Sequence, residues 1–303
     1  MNTCKRYILF LTFIGLLFTD FREAYADNKN RKITPAHVFA HAGLLQGEIE
    51  ILRQYLGKPK NNQLDLPIEH AHPREVYFQA VTLLKKMDKF CFEQILRRGS
   101  IPAHPVGETQ PKDVYGLIDA SLSFVKRIKL KLHIQDKAIK EKIDKGKTPT
   151  DVFNRVIQMN RQLNLMLVYR FSSSDVFQKV SDASNLANVM LHKFSKNKKL
   201  KISEPKYVNK KSSPNVYAEL LSCITILEAI SKNLDVEMLK LKRDEVKIGH
   251  QTPSDVFDMA SIVVSELSNM RRKYLTTDNP NVTDFPGKKI PSDVYQKVGL
   301  LKK

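Results

Sequence analysis

The side chains in this 303-residue chain that are equipped for chemistry are few, and none falls into the pattern of a known reaction centre. Glu69-His70-Ala71-His72 is the densest histidine cluster. It lacks the i, i+4 helical pairing of a zinc protease and has no cysteine nearby to complete a zinc set. His72 also falls at a helix-start position, which gives it a structural role. His37 and His41 lie four residues apart and share a helix face, the minimum for a two-ligand site, yet His37 fills a position that is elsewhere an aspartate. Cys223 falls on an apolar helical seam and Cys91 beside one. Burial raises a thiol pKa and makes a poor nucleophile, so packing or a single disulfide between the two is the expected use. With 11 Gly and no Trp, the chain has no Gly-x-Ser-x-Gly elbow, Walker loop or dinucleotide fingerprint. No catalytic residue, metal ligand or cofactor is assigned.

What remains is charge. Lys and Arg number 50 against 32 Asp and Glu, a formal net charge of +18. The densest run comprises Lys193, Lys196, Lys198, Lys199, Lys201, Lys206, Lys210 and Lys211. Such a run attracts anions at long range. It reads equally as a solvated linker, because lysine lacks the planar fork that selects phosphate geometry. The seven lysines from Lys196 to Lys211 are the candidate anion contacts.

The amino terminus reads as an export signal. Lys5 and Arg6 precede an apolar run from Tyr7 to Phe18, and Ala24-Tyr25-Ala26 supplies a small-x-small cleavage pattern. The run is roughly 12 residues, short of the about 20 that span a bilayer. Residues 1–26 are therefore expected to be a signal peptide, leaving a chain with 47 positive and 30 negative side chains, no transmembrane segment and two cysteines. Sparse cysteine fits a bacterial periplasm better than a eukaryotic secretory route. For an exported protein nucleic acid is a disfavoured partner; phospholipid headgroups, lipopolysaccharide and peptidoglycan are the anions within reach.

The elements that must carry these residues are set by an internal repeat. A pattern close to Thr-Pro-x-Asp-Val-Phe/Tyr occurs eight times, with its valine at Val38, Val76, Val114, Val152, Val176, Val216, Val256 and Val294. The steps are 38, 38, 38, 24, 40, 40 and 38 residues, so the short step divides the copies into two sets of four. Each copy has the chemistry of a helix start. Ser or Thr caps, Pro follows with its φ preset, and a carboxylate three residues after the cap closes a capping box at the positive end of the dipole. Counting from the valine, positions +4, +7, +11 and +14 of the first seven copies are apolar at 27 of 28 places, with Ser121 the interruption. That is a heptad-like seam. An aromatic residue follows every valine and reads as a packing wedge at the helix start.

Polar segments at Lys58–His70, Gly99–Thr109, Lys196–Lys211 and Thr276–Lys289 are long enough to return the chain along a helix, which permits parallel helices within each set. Only a tight antiparallel hairpin fits between Tyr169 and Ser172. The expected architecture is all-α, with a repeat of about 38–40 residues, one amphipathic helix per repeat and two bundle-like halves: 27–171 with repeats 1–4 and 172–303 with repeats 5–8. The expected function is that of an exported, non-catalytic envelope scaffold or interaction module with a basic surface for an anionic partner, a protein or an envelope component. The alternative is a periplasmic helical-bundle sensor or small-molecule-binding protein, with an interhelical pocket at an irregularity such as Ser121.

Overall fold

The structure is a computed structural model that describes residues 32–102, 107–195, 202–274 and 284–303. The expected export signal, residues 1–26, lies outside the described residues. Contacts divide the chain after Thr34, and the unit from Pro35 to Lys303 holds eight described helices. These are α1 (Pro35–Tyr55), α2 (Pro73–Ile95), α3 (Pro111–Lys131), α4 (Pro149–Met166), α5 (Ser173–Phe194), α6 (Ser213–Asn233), α7 (Pro253–Tyr274) and α8 (Pro291–Leu301). Each opens at one copy of the start pattern. Among the described residues the regular structure is all helical apart from a two-residue pairing of β1 (Ile68–Glu69) with β2 (Lys240–Leu241) and a short 3₁₀ turn.

A side-chain oxygen three residues after the cap recurs in seven of the eight starts. The cap amide donates to Asp113 from Gln110 (2.7 Å), to Asp151 from Thr148 (2.8 Å), to Asp175 from Ser172 (2.7 Å) and to Asp255 from Thr252 (2.7 Å). His72 donates to Glu75 in the same way, Ser212 to Asn215 (3.0 Å), and Ile290, which has no side-chain acceptor, to Asp293 (2.9 Å). The reciprocal bond, in which the cap hydroxyl accepts from the amide three residues on, is made by Thr148, Ser172 and Thr252. One oxygen of the acid at this position is thus consumed by the backbone, half of a capping box in its own right. Asp175→Ala should lower stability by about 0.5–2 kcal/mol in urea denaturation, whereas Asp175→Asn, which restores the acceptor used at Asn215, should recover most of it.

The helices of each set run parallel. The starts of α1 to α4, from Pro35 and Val38 to Pro149 and Val152, surround one small apolar opening, and those of α5 to α8, from Ser173 and Val176 to Pro291 and Val294, surround another. In the first set α1 and α2 each pack on α3 and α4; in the second, α5 and α6 each pack on α7 and α8. The third residue of the start pattern ties neighbouring starts together: Thr150 Oγ1 accepts from Ala71 N (3.0 Å), Ser174 Oγ from Lys289 N (2.8 Å) and Ser292 Oγ from Lys211 N (3.1 Å). Parallel packing also brings like ends of the dipoles side by side. Carboxylates gather at the starts, and Lys129, Lys131, Lys193, Lys232 and Arg271 to Lys273 occupy final turns, where cations are favoured. Part of the basic composition therefore stabilises helix ends.

The expected seam is the core. Of its 28 positions 26 are buried; Ala187 is half-buried and Ile230 is 38% exposed. Both lie in the distal turns of α5 and α6, which α8, only 11 residues long, does not reach. Ser121 is fully buried, and its hydroxyl donates to Leu117 O (2.9 Å) within its own helix.

The two sets meet differently from the expected hairpin. Residues 167–172 do reverse the chain, but α4 and α5 hardly touch; the seam between the sets is α2 against α7, with a smaller contact of α4 on α7. Gln79 lies opposite Asp258 and Arg74 opposite Glu266, so α2 and α7 are antiparallel. The segments that lead into these two helices pair as β1 and β2, and Lys242 N donates to Pro67 O (2.9 Å).

Candidate functional site

Few of the residues singled out by sequence come together. Lys196, Lys198, Lys199 and Lys201 lie outside the described residues. Lys206 and Lys210 are exposed. Lys211 is half-buried, with its Nζ 4.4 Å from the Tyr295 ring centre and its amide on Ser292, which makes it part of the packing of α8 on α6. Cys91 and Cys223 are buried free thiols on α2 and α6 and form no disulfide. Burial pushes the Cys91 thiol up and that of Cys223 up to about 12, which suppresses the thiolate. His41 stacks on Tyr115 (4.0 Å, 7°) and lies 3.3 Å from Asp119, and His72 Nε2 lies 3.1 Å from Glu237. Among the described residues no three His, Cys, Asp or Glu side chains gather as a metal site.

The densest ionic chemistry is at the α2–α7 seam, where the sequence pattern had marked no site. Lys86 is fully buried, and its Nζ donates to both oxygens of Asp258 (2.8 and 3.1 Å). Desolvation pushes the ammonium down and the carboxylate up, each working against the attraction of the other. Beside the pair, Gln79 Nε2 donates to Asp258 O (2.9 Å) and Asn160 Nδ2 to Gln79 O (3.1 Å). Two turns along, Glu266 is fully buried near Glu75, with Arg74 3.6 Å away. These groups lock the halves together and present no open face to a substrate.

Two features open outward from this seam. One is a cationic face where the end of α2 meets the α4–α5 connector. Glu93 accepts from Val168 N (2.9 Å) and Tyr169 N (2.8 Å), and Asp88 accepts from Arg98 (2.8 Å) and Gly99 N (2.9 Å), so both acids are spent on holding the chain. Around them Lys85, Arg97, Arg98 and Arg170 are exposed. Lys89 lies 5.2 Å from the centre of Phe171, which stacks on Phe257 (4.1 Å), and Lys179 lies 5.6 Å from Phe257. Burial, and then the charge of Lys85, pushes Lys179 down to about 8. Among these cations Leu96 and Tyr169 are 77% and 72% exposed, with Phe92 and Val168 also open to solvent. Three elements contribute, which is why a linear charge run did not reveal it; Tyr169-Arg170-Phe171 in so short a connector was the available signal.

The other feature is a cleft of about 240 Å³ between the paired return segments, with Arg161, Tyr217 and Asp255 among its lining residues. No helix of the described residues is long and apolar enough to cross a membrane. Comparison with known proteins yields no family model, curated protein or solved structure that matches this chain.

Proposed function

We propose that this protein is an exported, non-catalytic scaffold or interaction module of the bacterial envelope that holds an anionic partner on a basic surface. The observation that carries the reading is the face formed by Lys85, Lys89, Arg97, Arg98, Arg170 and Lys179, where Glu93 and Asp88 are occupied by backbone amides and Arg98 and Asp182 offsets part of the charge at Lys179. Arginine supplies the planar donors absent from the Lys196–Lys211 run, and the interleaved Phe92, Leu96, Val168 and Tyr169 give an anionic surface apolar side chains to bury. The buried thiols and the acids committed to helix starts support binding rather than bond-making.

The reading is tested by cosedimentation of the signal-free chain with vesicles carrying anionic headgroups and with neutral vesicles. The expected result is retention on the anionic vesicles that falls steeply between low and moderate salt. At about 1 kcal/mol per basic residue near such a surface, Arg97→Glu with Arg170→Glu should weaken retention tenfold or more. Charge reversal at Lys206 and Lys210 should weaken it less. Retention indifferent to salt and to the Arg97/Arg170 reversal would defeat the proposal.

A further inference from the structure

We infer that the cleft between the paired return segments is a binding site for a small zwitterion of the amino-acid class, its carboxylate held by Arg161 and its ammonium by Asp255. The inference is independent of the cationic face. The walls are the segment Gln63–Pro67, which leads to α2, and the segment Glu245–Gln251, which leads to α7. The β1–β2 pairing and the bond from Lys242 N to Pro67 O hold the two walls at a fixed spacing. Arg161 from α4, Tyr217 from α6 and Asp255 from α7 complete the lining, so both halves contribute, and ligand sites favour such junctions.

Asp65, Glu245, Lys247 and His250 also line the cleft but are exposed to water, which screens their charges, and Gln251 bonds to Gly249 N and Lys247 O. The less exposed Arg161, Tyr217 and Asp255 are left with capacity that the protein does not use. Arg161 donates one bond, to Leu64 O (2.5 Å), and forms no ion pair among the described residues, although a guanidinium has five donors. Asp255 spends Oδ2 on the amide and the hydroxyl of Thr252 (2.7 Å each), and its Oδ1 accepts from no group among the described residues. Tyr217 is 4% exposed, yet among the described residues its hydroxyl bonds to no protein group. The ring accounts for that burial; the hydroxyl oxygen itself keeps some accessible surface, and Tyr217 lines the cleft. Burial holds it far above its ordinary pKa, so it remains an O–H that both donates and accepts, with Arg161 and Asp255 as its charged neighbours.

Opposite charges that line one cleft without pairing with each other select for a molecule that carries both. A plain anion would satisfy Arg161 and meet repulsion from Asp255; a plain cation would do the reverse. A carboxylate on the guanidinium fork and an ammonium on Oδ1 satisfy both, with the Tyr217 hydroxyl bonding to either. The cleft, about 240 Å³, has room for a small amino acid, with Leu66, Pro67 and Val246 available to a short apolar side chain.

The test is calorimetric titration and thermal denaturation of the signal-free chain with each of the twenty amino acids, and with acetate and methylamine as single-charge probes. At least one small amino acid should bind saturably and raise the melting temperature, while acetate and methylamine at equal concentration should not. Arg161→Gln should abolish the response. Asp255→Asn keeps the cap acceptor, as Asn215 does in α6, and should fold but bind at least tenfold more weakly. Tyr217→Phe should weaken binding about fivefold, the value of one hydrogen bond. Binding by no amino acid, an equal response to acetate, or binding unchanged in both charge variants would overturn the inference. Vesicle retention should be unaffected by Asp255→Asn, so the failure of this site and that of the cationic face are separable.

Discussion

Lys86→Met alone should lower the unfolding free energy by about 3–5 kcal/mol, the usual cost of breaking a buried ion pair by removing one partner. The reason lies with the residue left behind. Asp258 would keep its burial and lose the ammonium that donates to both its oxygens at 2.8 and 3.1 Å. Asp258→Leu should destabilise comparably by stranding the ammonium, whose remaining acceptor, Asn160 O, is 3.5 Å away. The double variant Lys86→Met with Asp258→Leu should recover most of the loss, because two charges removed together leave nothing desolvated and unpaired, and side chains of similar volume fill the space. Urea denaturation of the four proteins closes the cycle. Additive losses in the double variant would show that the two residues contribute separately and that the pair does not hold α2 against α7. The structure favours coupling: Gln79 and Asn160 extend the bonded network from the pair, and Phe171 closes over Lys86 at 5.6 Å.

That pair also marks the limit of what the sequence disclosed. The seam from Ala42 to Met270 was legible because 26 of its 28 positions are buried and all of those but Ser121 are apolar. The start pattern was legible because capping chemistry is local and depends on residues three apart. The length of the return segments allowed parallel helices, and the shared openings at Val38–Val152 and Val176–Val294 show them. The α2–α7 interface was hidden because its side chains are polar. Gln79, Thr82, Lys86, Asp258, Ser261 and Glu266 are all buried, yet in a helical pattern they read as the solvated face. Hydrophobic periodicity carries no signal for a polar interior. Ile230 is the opposite case: a seam position by pattern, it is exposed because the shorter α8 does not cover it, a fact held in another element. The cationic face and the cleft are each assembled from three or more segments distant in sequence, so no single spacing announced them.

Glu266 gives the second large effect, a stability that falls as pH rises. The carboxyl is fully buried, and among the described residues neither oxygen has a hydrogen-bond donor in bonding geometry. Desolvation first, and then the nearby Glu75, holds its pKa well above 4.5, with Arg74 opposing. The folded state therefore binds the proton more tightly than the unfolded state. The stability contributed by the protonated group is full below the unfolded pKa and is lost as pH rises through the folded one. His72 acts in the same direction. The Glu75 carboxylate, 3.7 Å from its Nδ1, raises its pKa, so the stability it supplies as a cation is likewise lost on the alkaline side. Glu266→Gln keeps the shape of the side chain and removes the ionisation. It should be more stable than the parent by about 1–3 kcal/mol at pH 8, the scale of a buried polar group left unsatisfied, and should converge on the parent near pH 5. His72→Gln should remove only the histidine part and leave the loss due to Glu266 in place. Urea midpoints of the three proteins from pH 5 to 8 separate the contributions. A Glu266→Gln variant whose midpoint tracks the parent across that range would show that the carboxyl ionises freely in the fold, and that the seam between α2 and α7 admits water at Glu266.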